Sequence, residues 1–85
     1  MDEFTHAVAQ VTNEYIKATK KFGKFNSTHE GYAVILEELD ELWDEIKNNS
    51  TRGRMRKEAV QVAAMGLRFM VDCCFIVDKE DETNE

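Results

Sequence analysis

No proline interrupts the 85-residue chain, and its four glycines, Gly23, Gly31, Gly53 and Gly66, lie far apart. Proline stops a helix most firmly, and glycine is next. A chain with so few breakers, rich in Ala, Glu, Lys, Leu and Met, is expected to be all-α. Apolar spacing divides it into three main helices. In the first, Phe4, Val8, Val11, Tyr15, Ala18 and Phe22 recur at three- and four-residue steps. Lys20 and Lys21 occupy its last turn, and Gly23 is its natural stop. Ser27 followed by Glu30 has capping-box spacing and opens the second helix, which ends near Lys47-Asn48-Asn49. Its predicted core stripe is Tyr32, Ile35, Leu36, Leu39, Leu42, Trp43 and Ile46, an arc of roughly 120°. Ser50 or Thr51 can cap the third helix, which is expected to run to about Val77. Residues 79–85 read as a frayed, solvated tail. The length suits one small domain over 1–85.

The third helix bears on assembly. Val60, Val62, Ala63, Met65, Leu67, Phe69, Met70, Val71, Phe75, Ile76 and Val77 cover most of its circumference. A helix apolar nearly all round must be buried nearly all round, which two short partners in one chain do not easily achieve. The expectation is a homo-oligomer, dimer or tetramer, in which a second copy completes a four-helix-bundle core.

Charge narrows the function. The net charge is −6, charged residues make up 33% of the chain, and no Lys/Arg-rich arm is present. That excludes general nucleic-acid binding through a basic patch. An acidic protein that takes a polyanion such as a nucleotide needs a divalent cation to offset repulsion. The start, Met1-Asp2-Glu3-Phe4, has no apolar signal core. Gln61, Arg68 and Asp72 interrupt the apolar run 59–77, which argues against a membrane helix. Cys73 and Cys74 are adjacent, so on a helix they point apart. They read as buried, reduced thiols of a cytoplasmic protein.

Two polar stripes could carry chemistry. On the second helix, Glu38 and Glu41 are three residues apart and can converge on one point, while Glu37 and Asp44 fall on the other flank. By itself this run is better explained as a solvated acidic face. On the third helix, Arg54, Glu58, Gln61, Met65, Arg68 and Asp72 share roughly 80° of an otherwise apolar surface. Buried charge is costly unless it is paired or binds a ligand. Arg68 and Asp72 can form an i,i+4 ion pair, and Gln61 can hydrogen-bond across the bundle. Glu58 and Gln61 nevertheless repeat the three-residue step of Glu38 and Glu41, and two such pairs can surround a metal with oxygen ligands.

At these residues the sequence resembles the MazG-like nucleotide pyrophosphohydrolases, the all-α NTP pyrophosphatase superfamily. The resemblance covers about residues 22 to 72, and 25–46, FNSTHEGYAVILEELDELWDEI, looks like small members from phage and mobile elements. The family pattern is EExxE on one helix and ExxD on the next. Here the first is Glu37, Glu38 and Glu41, and the second is Glu58-Ala59-Val60-Gln61, with Gln61 where the family has aspartate. The resemblance implies Mg²⁺, or Mn²⁺, held by Glu38, Glu41, Glu58 and Gln61. It implies hydrolysis of a (d)NTP to the monophosphate and pyrophosphate in nucleotide-pool cleansing. Glu37 or Glu41 would accept the attacking water's proton. Phosphate contacts fall to Arg54, Lys57 and Arg68, or to Lys24 and Lys21 near the loop, and Phe25 is a candidate for base contact. An amide oxygen can bind Mg²⁺ but carries no charge, so a non-catalytic module on the same fold, binding nucleotide, metal or protein, stands as the alternative.

Overall fold

The computed structural model describes residues 2–75, so Ile76, Val77 and the tail expected over 79–85 lie outside the described residues. It is all-helical: α1 spans Glu3–Phe22, α2 Thr28–Lys47 and α3 Arg52–Phe69, and a π-helical turn, Met70–Cys74, continues α3. Side chains set the helix starts. Asp2 accepts from the Thr5 amide, Ser27 from the Glu30 amide at 3.0 Å, and Thr51 from the Arg54 amide at 3.2 Å. The Glu30 carboxylate reaches one residue further back than a capping box requires, accepting from the Asn26 backbone N–H and side-chain amide. These bonds hold Glu30 below the usual glutamate range. Gly23, at φ 73°, closes α1 in a conformation other residues rarely adopt.

The three helices run up, down and up. α3 packs along both α1 and α2, which touch each other little. The interior is small: Ala18, Ala64 and Met65 are buried, with Val11, Tyr15, Phe25, Val34 and Ile35 packed against them. α2 comes closest to α3 at Gly31, where an added Cβ would lie 2.6 Å from the Phe69 ring. At the other end, Glu45 grips Arg54 through two contacts of 3.2 and 3.3 Å. This antiparallel register sets Glu38 level with Gln61 and Glu41 level with Glu58.

Of the stripe expected to be core on α2, Ile35 packs inward and Leu42 is half-buried, but the rest faces outward in the single chain. Tyr32, Leu36, Leu39, Trp43 and Ile46 are between 41% and 65% exposed. The flank bearing Gly31, Val34, Ile35 and Glu38 packs inward instead, because only Gly31 admits Phe69 so closely. α1 and the end of α3 likewise leave Val8, Ile16, Leu67, Met70 and Val71 exposed. Of the two thiols expected to be buried there, Cys74 is exposed and Cys73 only half-buried, because no helix among the described residues covers that side of α3. Among the described residues, no helix is long and apolar enough to cross a membrane.

Candidate functional site

α1 and α2 lean apart over α3, and the gap is a cleft of about 340 Å³. Val34, Glu37 and Glu38 of α2 form one wall, Glu14, Ala18 and Phe22 of α1 the other. Gln61, Met65 and Arg68 of α3 form the floor, and the α1–α2 loop closes one end with Lys24, Phe25 and Asn26.

At the α2 wall, Glu37, Glu38 and Glu41 each offer a carboxylate oxygen, all within 4.8 Å of one another. Helical spacing explains this, since Glu41 follows Glu37 by four residues and Glu38 by three. Glu37 thus joins the cluster although the sequence alone set it on the other flank. Glu38 is half-buried, and its carboxyl is pushed above the usual glutamate range by burial and by repulsion from Glu41, Glu58, Glu37 and Glu14. Glu41 is raised by desolvation and by Glu58, Glu37 and Asp44. Glu58, on α3, is near enough to repel both, but it is not one of the three carboxylates that converge. Like charges gathered this closely repel, and a hard divalent cation with oxygen ligands is the chemistry that relieves them. The donor set fits such an ion.

The residues assigned to substrate contact divide. Lys24 is exposed and Phe25 half-buried, and both line the cleft. Arg54 is held by Glu45, and neither it nor Lys57 lines the cleft. Lys21 sits over the Phe22 ring, 5.2 Å from its centre.

Arg68 lines the cleft floor at only 3% exposure, but much of it is already engaged. Its guanidinium donates to the Gly23 carbonyl at 2.8 Å and to Met65 Sδ at 3.2 Å, and lies 4.2 Å from the Phe25 ring centre. Its Nε is buried without a partner. Arg68 and Asp72 do not make the i,i+4 pair their spacing allows. The π-helical turn intervenes, and the Asp72 carboxylate accepts instead from the Phe25 backbone N–H at 3.0 Å. Two buried charges thus fasten the two sides of the loop that carries Lys24 and Phe25.

Glu14 was not anticipated. It lines the cleft opposite Glu38, and its side chain is only 18% exposed. A signal existed: Glu14 lies three residues after Val11 and four before Ala18, on the packed face of α1. No family model, curated protein or solved structure matches the chain.

Proposed function

We propose that the cleft binds a nucleoside triphosphate through Mg²⁺ or Mn²⁺ and hydrolyses it to the monophosphate and pyrophosphate. The observation that carries this is the convergence of Glu37, Glu38 and Glu41 within 4.8 Å at the wall of a cleft whose loop end bears Lys24, Phe22 and Phe25. Glu38, Glu41 and Glu58 would hold the metal, with the Gln61 amide oxygen beside them. When bound, the cation supplies neutralisation of the phosphates and orients water. The water oxygen bonds to phosphorus, the bond to the pyrophosphate oxygen breaks, and the water's proton passes to Glu37 or Glu41. Lys24 provides a phosphate contact. Phe22, two-thirds exposed although Lys21 and Arg68 lie 5.2 and 5.9 Å from its ring centre, is more accessible to a base than the half-buried Phe25, which has Arg68 at 4.2 Å. The working unit is a homo-oligomer, its second copy covering the outward stripe of α2. The setting is cytoplasmic, in keeping with the free thiols of Cys73 and Cys74, and the role is nucleotide-pool cleansing.

Gln61 favours a second reading, a binding module without turnover. The two separate in one experiment: melting with and without Mg²⁺ or Mn²⁺, and pyrophosphate release across the common (d)NTPs. Metal stabilisation with pyrophosphate supports the enzyme, and stabilisation without turnover supports the module. If neither occurs, both readings fail.

A further inference from the structure

We propose that Asp72 is a positioning residue: through the Phe25 backbone N–H it sets the loop that presents Lys24 and Phe25 to a bound nucleotide. This inference rests on the nucleotide-binding reading above. α1 and α2 touch each other little, so their own contact does not fix the gap between them. The loop that joins them closes one end of that gap with Lys24, Phe25 and Asn26. Its two ends are anchored locally. Gly23 donates its N–H to the Thr19 carbonyl, and Asn26 donates to the Glu30 carboxylate. Between those anchors the Phe25 N–H donates to Asp72, far along the chain on the extension of α3, at 3.0 Å.

Asp72 is 6% exposed, and a carboxylate so deep is costly unless it is bonded. Arg68, the nearest cation in sequence, gives its own bonds to the Gly23 carbonyl and Met65 Sδ. Among the described residues, the Phe25 N–H is the donor that Asp72 meets. The turn that carries Asp72 is π-helical, a form rare in itself and frequent at functional sites. Its neighbours hold the loop on either side. Arg68 donates to the Gly23 carbonyl at 2.8 Å, and Cys73 Sγ lies 4.0 Å from the Ser27 carbonyl oxygen. The end of α3 thus grips the loop at Gly23, Phe25 and Ser27, and Lys24 and Asn26 lie between the grips on the cleft.

Asp72 does not itself line the cleft. It acts through Phe25, whose ring lies against Arg68 on one side and close to Gly31 on another. A loop fixed before the nucleotide arrives loses less freedom when it binds, and its groups are already in place. The effect is confined to the loop end. Gln61, level with Glu38 at the acidic wall, lies roughly 16 Å back along α3 from Asp72. Asp72 therefore governs the affinity for nucleotide and leaves the affinity for metal alone.

The test compares the wild type with Asp72→Ala, Asp72→Ser, Asp72→Asn and Val11→Ala. Calorimetry reads the affinity for α,β-methylene analogues of the common (d)NTPs in Mg²⁺, electron paramagnetic resonance reads Mn²⁺ affinity, and NMR reads hydrogen exchange at the Phe25 amide. Asp72→Ala is expected to weaken analogue binding by about tenfold or more, to speed Phe25 exchange, and to leave Mn²⁺ affinity within about twofold. Asp72→Ser, polar but too short to reach the amide, should do the same. Asp72→Asn keeps an oxygen for the Phe25 N–H, so it should retain most of the affinity and the protection. Val11 packs against the core without lining the cleft, so Val11→Ala should lower the melting temperature and leave analogue binding unchanged. If Asp72→Ala and Asp72→Ser bind the analogues as tightly as the wild type, the positioning role is overturned and the nucleotide reading stands. A loss shared equally by Val11→Ala overturns it too, since general loosening would then be the cause. So does a loss in Asp72→Asn while its Phe25 amide stays protected. If the wild type binds none of the analogues, the nucleotide reading falls and this inference falls with it.

Discussion

Glu38 sits where stability and binding pull in opposite directions. Burial and four neighbouring carboxylates raise its pKa, so between the unfolded and folded values the folded state holds more protons. Stability contributed by this group therefore falls as pH rises through that window, and the penalty is fully present above the raised pKa. Asp2 and Glu30 behave oppositely: hydrogen bonds from Thr5 and Asn26 lower them, so their stabilisation is lost as pH falls. The comparison that isolates Glu38 is wild type against Glu38→Gln, in which the other groups cancel. In EDTA the variant should melt higher at pH 7, and the gap should close on acidification below the ordinary glutamate range. Excess Mg²⁺ should reverse the order at pH 7. A gap that does not change with pH would show that Glu38 feels no crowding. At this scale the sequence was partly legible. The three-residue step named Glu38 and Glu41, and the four-residue step that brings in Glu37 was available but given less weight. Arg68 and Asp72 were singled out as buried charges, but their partners lie some 45 residues away in the loop, beyond any local spacing rule. Glu14 carries little local signal, since one acid on a helix with nearby lysines reads as ordinary solvated surface.

Among the elements, the starts and stops were the most legible part. Gly23, Ser27 and Thr51 each act through bonds to residues within four positions, which is the range a local pattern can report. The inward face of α2 was only partly legible: Ile35 belongs to the expected stripe, but Val34 competes with Tyr32, Leu36 and Leu39 on similar hydrophobic terms. Gly31 settles it by letting α3 approach. An added Cβ there would lie 2.6 and 3.1 Å from carbons of the Phe69 ring and 3.2 Å from Phe25. Helix propensity favours alanine over glycine by about 1 kcal/mol. Overpacking against two aromatic rings opposes it by about 1–3 kcal/mol. Gly31→Ala is therefore expected to destabilise by about 1 kcal/mol net in urea unfolding. The cost should shrink in a Phe69→Leu background, where the flatter constraint of the ring is gone. If Gly31→Ala stabilises the wild type, the close approach is not what orients α2. Because Phe25 touches the same point, the variant should also loosen the loop end of the cleft.

For the whole molecule, the central fact is how much apolar surface one chain leaves uncovered. Tyr32, Leu36, Leu39, Trp43 and Ile46 alternate at four and three residues, the spacing of a coiled-coil seam, and the stripe is about 21 Å long. The buried apolar side chains among the described residues are two alanines and a methionine. A domain with so small an interior gains much from burying that seam, and lone soluble chains rarely expose apolar stripes of this extent. A stable pair buries about 800 Å² on each partner. One five-residue seam supplies only part of that, so the contact would extend to other exposed apolar residues such as Leu67, Met70 and Val71. On this account the wild type should elute as a dimer or larger in light-scattering chromatography, with a melting temperature that rises with protein concentration. Leu39→Glu places a charge at the centre of the seam, on the side of α2 away from Glu38. It should yield monomers that melt lower than the wild type by roughly 4–8 °C for each kcal/mol of association lost at the working concentration. Mn²⁺ affinity should survive in that monomer, since the carboxylates that converge belong to one chain. A wild type that is monomeric at every concentration, with Leu39→Glu melting at the same temperature, would show that the stripe needs no cover. Loss of Mn²⁺ binding in a folded Leu39→Glu monomer would instead mean that the second copy helps to hold the cleft walls apart.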